Sequence, residues 1–202
     1  MRTDLNVLIA CEFSGIEREA FRKLGYNAYS VDLLPTEIPS SYHVQEDVIQ
    51  HIKNHSGFYD LMIAHPPCTH LAVSGARWFK DKKEEQEKAM DFFLKFTKTG
   101  IPHYAIENPV CIMATEYRKP DQYIQPWEYG HGETKKTSLW LYNLPKLNST
   151  DIVVGREDRI HKLPPGVNRW RDRSRGYSGV ANAMAEQWGE YVSALKQKEG
   201  KA

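Results

Sequence analysis

Cysteine is scarce in this chain: Cys11, Cys68 and Cys111 are the only three among 202 residues, and none belongs to a CxxC pair. With no secretory leader in front of them, they argue against structural disulfides and for a reducing, cytoplasmic compartment. Long apolar runs are lacking too. None approaches the roughly 18 residues a membrane span needs, so a soluble protein without a membrane partner is expected. Nor does one sign of charge dominate. Twenty-seven Lys and Arg stand against 26 Asp and Glu, a formal net charge of +1, so any contact with nucleic acid has to come from local patches. There is no internal repeat and no low-complexity tract, and 202 residues suit a single domain (1–202) with its own core.

The first half alternates strand and helix patterns. NVLIA (6–10) is a nearly continuous apolar run, as expected of a strand buried on both faces, and residues 14–26 follow with helical spacing at Ile16, Ala20, Phe21 and Leu24. NAYSVDLL (27–34) reads as a second strand ending near Asp32, QEDVIQHIKNH (45–55) as a helix, and YDLMIAH (59–65) as a buried strand running into HPPC. Residues 78–99, with Phe79, Met90, Phe93 and Phe96 among the apolar positions, form an amphipathic helix closed by Gly100, and HYAIENP (103–109) is a fourth buried strand. TSLWLYNL (137–144) is a further strand, a loop-rich basic stretch runs to Arg175, and a last helix spans about 180–196. The order implies an α/β fold, a mostly parallel sheet with helices on both faces.

In such sheets ligands bind beyond the carboxyl ends of the strands. The residues there are Glu12-Phe13-Ser14-Gly15, Asp32, Pro66-Pro67-Cys68 and Glu107-Asn108-Pro109, which should line one rim. A lone cysteine after a strand is often an inert small hydrophobe. Two prolines in front of it fix the backbone and remove amide donors, which suits an aimed side chain better than a packing role. His65 and His70 flank it without a further His/Cys cluster, so no metal is expected. A turn explains Asn108 and Pro109 but not Glu107, whose carboxylate at a buried strand end should have its pKa raised by burial. Asp32 caps a helix or holds a ribose hydroxyl.

In this order and on these strands, EFSG (12–15), Asp32, Asp47, PPC (66–68) and ENP (107–109) resemble the cytosine-C5 DNA methyltransferases, and GYSGVANAMAEQWG (176–189) is similar to that family's last motif. The resemblance implies a Rossmann-like S-adenosylmethionine-dependent methyltransferase fold, with Cys68 adding to C6 of the pyrimidine and Glu107 holding or protonating N3. It places Phe13, Ser14, Gly15, Asp32, Asp47, Pro66 and Asn182 around S-adenosylmethionine. Asn108, Lys136, Arg173 and Arg175 are the substrate contacts it suggests, and DNA is the implied partner.

Some positions depart from that pattern. Glu17 and Arg18 replace a glycine pair, ENP replaces ENV, and Lys135 and Lys136 stand where arginines are expected. Between 144 and 176, where the family carries a separate target-recognition domain, this chain has only a short basic segment that includes Trp170. Three functions follow as expectations: a minimal DNA methyltransferase, aided in recognition by a dimer or a partner chain; the same chemistry on a free pyrimidine nucleotide such as dCMP; and a non-catalytic, cofactor-binding regulatory protein.

Overall fold

The computed structural model describes residues 5–74 and 82–200. Within them β1 (Asn6–Ala10), β2 (Asn27–Asp32), β3 (His43–Gln45), β4 (Leu61–Ala64) and β5 (His103–Pro109) run parallel. β7 (Thr137–Tyr142) pairs antiparallel with β5 and carries β6 (Gln122–Ile124) antiparallel on its other side. The order across the sheet is β3-β2-β1-β4-β5-β7-β6. The helices are α1 (Ile16–Lys23), α2 (Val48–Asn54), α3 (Lys83–Phe96), α4 (Met113–Glu116), α5 (Arg159–Lys162), α6 (Arg169–Ser174) and α7 (Ser178–Glu199).

The continuous apolar runs exist because both sheet faces are covered. Val7 and Ile9 point into a core with Phe21 of α1 and Met184, Trp188 and Val192 of α7. Leu8 and Ala10, one residue out of phase, point into a second core with Ile52 of α2 and Phe93 and Phe96 of α3. Each such side chain stabilises the fold by about 1.5–3 kcal/mol on full burial. Trp188 is wholly buried, and its indole N–H donates to Pro145 O at 2.9 Å. Gly189, beside it, allows close helix packing, since a Cβ there would sit 2.5 Å from the Tyr26 ring.

The expected elements are present, most with shorter bounds, while the strands at 6–10 and 103–109 match and the last helix is longer than expected. The helix anticipated over 78–99 is α3, and the part of that expectation falling on 78–81, with Phe79, lies outside the described residues. β3 and β6 were not anticipated, being three-residue edge strands too short to carry a period. The basic stretch is likewise not all loop. It holds α5 and α6, and isolated bridges join Asp151 to Tyr129 and Glu157 to Glu133. No helix among the described residues is long and apolar enough to cross a membrane.

The chain leaves β1 toward β2 and β3, then returns to place β4 on β1's other side. The chain therefore runs to opposite sides after the paired carboxyl ends of β1 and β4, the place where such sheets bind ligands.

Candidate active site

At the end of β1, Cys11 takes a left-handed backbone (φ 59°) and turns the chain so that Glu12 points back at the start of α1. Glu12 Oε1 accepts from the Glu17 N–H at 2.8 Å and the Ser14 hydroxyl at 3.2 Å, and Oε2 accepts from the Arg18 N–H at 3.3 Å. These are amides that a helix start leaves unpaired. Burial, then the charge of Glu17, pushes the Glu12 carboxyl well above the usual carboxylate range. Gly15 supplies the left-handed N-cap (φ 80°), where a Cβ would also lie 2.6 Å from the Arg18 guanidinium. Cys11, Glu12, Phe13, Ser14, Glu17, His65, Ser174 and Gly176 line a cleft with about 330 Å³ of empty space, open to solvent.

At the end of β4 the His65-Pro66-Pro67-Cys68 turn is fastened to β5. Asn108 Nδ2 donates to Pro66 O at 2.7 Å, in a buried contact spanning 42 residues of sequence. Its neighbour Glu107 faces His65, with Nδ1 to Oε2 at 3.2 Å. On its far side His65 Nε2 is buried without a hydrogen-bond partner, 3.9 Å from Glu17 Oε1. Glu17, His65, Glu107, Lys135, Thr137, Gly176, Tyr177 and Met184 are among the residues around a second open cleft of about 430 Å³. Glu17, His65, Ser174 and Gly176 belong to both linings. The two clefts thus share a wall.

Charge within that wall differs from the sequence expectation. Burial does raise the Glu107 pKa, but the hydrogen bond and charge of His65, then Lys135 and Thr137, outweigh it and hold the carboxyl below its ordinary value. For His65, burial pulls down, while the Glu107 hydrogen bond and the charges of Glu17 and Glu107 lift it above its ordinary value. Both shifts favour a protonated ring facing an ionised carboxylate, with about a fifth of each side chain exposed. Desolvation and the Glu107 charge raise the Cys68 thiol, against Arg173 and Lys135, which lower it. Cys68 belongs to neither cleft lining. Its electrostatic neighbours nevertheless place it on the Glu107 side of the rim.

The other expected site residues are placed as follows. Phe13, Ser14 and Gly15 form the β1–α1 turn, and Phe13, almost wholly buried, packs against Trp170 of α6 with ring centroids 5.8 Å apart. Asp32 ends β2, accepts from the Leu34 N–H at 2.8 Å, and has its pKa raised by burial. Asp47, exposed, caps α2 by accepting from the Gln50 N–H at 2.8 Å, and its charge reaches Cys11. Pro66 is buried in the β4 turn. The last motif lies inside α7, which begins at Ser178, and there Asn182 is exposed while Tyr177, Val180 and Met184 face the second cleft. Lys136 is exposed, its ammonium 4.3 Å from the Tyr123 ring.

The arginines of the basic segment are not equivalent. Arg175 bonds Glu37 at 2.7 and 2.8 Å and Asp172 at 2.6 Å. Arg171 lies 3.0 Å from Glu37, Arg169 donates to Leu163 O and Arg159 is paired with Glu133. Arg173 makes no hydrogen bond or ion pair among the described residues, and its charge is felt at Cys68. α6 is therefore strapped by Glu37 over the Phe13 side of the first cleft.

Sequence reasoning missed His65 as a partner of Glu107, and Glu17 and Lys135 as members of the site. A lysine or histidine beside a motif gives no sign of which carboxylate it will meet. The strand-end position of His65, directly after an apolar run, was the one available signal. No group of three or more His, Cys, Asp or Glu side chains among the described residues is arranged to hold a metal ion. No protein-family model matches the chain, and no curated protein does either, which leaves the site's geometry and chemistry as the basis for its function.

Proposed function

We propose that this chain is an S-adenosylmethionine-dependent methyltransferase of Rossmann-like fold that modifies C5 of cytosine in DNA through a covalent bond from Cys68 to C6. The observation that carries this reading is the fastening of the cysteine turn after β4 to the Glu107-Asn108 end of β5. Nucleophile and acid come from motifs far apart in sequence and meet at one rim, beside the first cleft, whose lining includes Glu12 and Glu17.

The first cleft suits the cofactor. It opens at the β1–α1 turn, at the carboxyl end of β1, where sheets of this kind bind their ligands. Glu17, with Asp32 nearby, supplies negative charge for a sulfonium and an ammonium, and Phe13 supplies an apolar ring. Asp32 would take ribose hydroxyls, and the charges of Asp32 and Asp47 both reach Cys11, which lines this cleft. When bound, S-adenosylmethionine supplies the methyl group.

The chain's own residues prepare the base. Cys68 adds to C6 as the thiolate, and Glu107 delivers a proton to N3, so that the electron pair released by the addition accumulates at C5. After methylation, loss of the C5 proton and departure of the Cys68 thiolate restore the ring. Sulfur suits both steps, being a strong nucleophile and a good leaving group.

Two expectations follow for binding. Asp32→Ala should weaken S-adenosylmethionine binding by about 1–3 kcal/mol, the cost of leaving buried hydroxyl partners unpaired, and unchanged affinity by calorimetry would place the ribose elsewhere. Arg173→Ala should raise the KM for the acceptor about tenfold or more, since a charged hydrogen bond is worth about 1.5–3 kcal/mol. Arg169→Ala, whose guanidinium is occupied by Leu163 O, should change that KM little. Equal effects in the two variants would refute the assignment of Arg173.

A second reading, the same chemistry on a free pyrimidine nucleotide, is favoured by Arg173, the one arginine without an ion pair near Cys68 among the described residues, enough for one phosphate but sparse for a duplex. Labelled S-adenosylmethionine offered separately with duplex DNA, single-stranded DNA and dCMP decides. Label in DNA supports the first reading and label in dCMP alone the second. Cofactor binding with no labelled acceptor would point to a non-catalytic protein.

A further inference from the structure

His65 stands where the two clefts meet, and three features of the wall single it out. Its Nδ1 is 3.2 Å from Glu107 Oε2, its buried Nε2 has no hydrogen-bond partner, and Glu17 Oε1 lies 3.9 Å beyond that nitrogen. About a fifth of the imidazole is exposed, as is about a fifth of Glu107, while Glu17 is almost fully covered. The position of Glu17 is itself built in. A Cβ on Gly176 would lie 2.1 Å from Glu17 Oε1, so a side chain at 176 would force that carboxylate to move. Behind Glu17 lies Glu12, whose carboxyl, raised by burial and by the charge of Glu17, shares a hydrogen bond with it.

We propose that His65, held between Glu107 and Glu17 in the wall common to both clefts, stores the proton that Glu107 passes to N3 of the bound pyrimidine. This rests on the methyltransferase reading above. An ionised carboxylate has no proton to give, and the titratable group hydrogen-bonded to Glu107 is the His65 ring, at 3.2 Å. As the Cys68 electron pair forms the S–C6 bond and the C5–C6 π pair shifts toward N3, the His65 Nδ1 proton moves to Glu107 and from Glu107 to N3, leaving a neutral imidazole and a neutral adduct. After methylation and loss of the C5 proton to solvent, the Cys68 thiolate departs and the N3 proton returns through Glu107 to His65. Charge is conserved at each stage. His65 acts through Glu107 and is a positioning residue.

The charged groups around the imidazole are Glu107 on β5, Glu17 on α1, Asp32 at the end of β2 and Lys135 ahead of β7. Three carboxylates against one ammonium favour the protonated ring. The reaction then needs imidazolium and thiolate together, from a ring whose ordinary value is 6.5 and a thiol whose ordinary value is 9.0, both of them raised. For that combination the rate climbs with pH until His65 titrates, stays level between the two titrations because falling imidazolium offsets rising thiolate, and drops above the Cys68 pKa.

The test is single-turnover methyl transfer against pH in the parent and in His65→Asn, whose amide keeps an N–H near the Nδ1 position without titrating. The parent should show the level region. His65→Asn should be slower by about 10²-fold at neutral pH and should climb about tenfold per pH unit without levelling until Cys68 titrates. A level region persisting in His65→Asn, or absent from the parent, overturns the proposal. Titration of the His65 ring by NMR, in the parent and in Glu107→Gln, gives a readout free of activity and of any folding defect in His65→Asn. The ring should titrate above its ordinary value of 6.5 in the parent and lower in Glu107→Gln, and identical curves in both would overturn the coupling. A parent chain that methylates no acceptor while its His65 still responds to Glu107→Gln would refute the methyltransferase reading, and proton delivery with it, but not the pairing.

Discussion

Cys68→Ala is expected to lower methyl transfer by about 10⁴-fold or more while leaving S-adenosylmethionine affinity as it is in the parent. The loss is large because neither remaining cysteine can take over. Cys11 is held in a left-handed turn with its thiol pushed far up by burial, and Cys111 is almost fully buried, its pKa raised to about 11. Affinity should hold because Cys68 is absent from the cleft assigned to the cofactor. Calorimetry with the cofactor and a radiolabel assay on the same preparation check both halves. Turnover retained within tenfold would remove Cys68 from the mechanism, and a parallel loss of cofactor affinity would mean that the turn after β4 had collapsed.

Glu107→Gln should reduce transfer by about 10²–10⁴-fold, the usual share of a positioned acid. The amide keeps the shape and can still bond His65, but it cannot relay a proton to N3. The variant should fold, because the Asn108 contact to Pro66 that fastens the two strand ends is untouched. Activity within threefold of the parent, with an unaltered melting temperature, would exclude Glu107 as the acid.

Much of this architecture is legible because five strands are apolar runs covered on both faces. Residues such as Val7, Leu8, Ile9 and Ala10 leave no polar face to confuse strand with loop. β3 and β6 escape notice because His43-Val44-Gln45 and Gln122-Tyr123-Ile124 are short edges with little buried surface. α5 and α6 are hidden for a related reason: turns of four and six residues, with Ile160 the one buried side chain between them, have no periodicity to read. Positions on the rim were readable from strand ends. Partners were not.

The charge state of Glu107 illustrates the difference. Sequence placed a carboxylate at a buried strand end and burial alone predicts a raised pKa. The opposite shift arises because parallel pairing of β1, β4 and β5 brings His65 against it, while the antiparallel β7 brings in Thr137, with Lys135 just ahead of that strand. The same pairing explains Glu17, which reads as an ordinary first-turn helix acid until α1 is seen to start beside the end of β4. For the arginines, spacing in RWRDRSR gave no means of telling Arg173 from Arg175. The distinction depends on Glu37, 138 residues away in sequence.

The central claim is that Cys68 bonds covalently to C6 of a cytosine, and trapping that bond tests it most directly. The protein would be incubated with S-adenosylmethionine and a duplex or nucleotide carrying 5-fluorocytosine, whose C5 fluorine cannot leave as the proton does, then digested for peptide mass spectrometry. The account predicts a methylated fluoropyrimidine adduct on the peptide containing Cys68, dependent on the cofactor and absent from Cys68→Ala. Methylated product from the unfluorinated acceptor with no adduct on that peptide, or an adduct on a different residue, would contradict it.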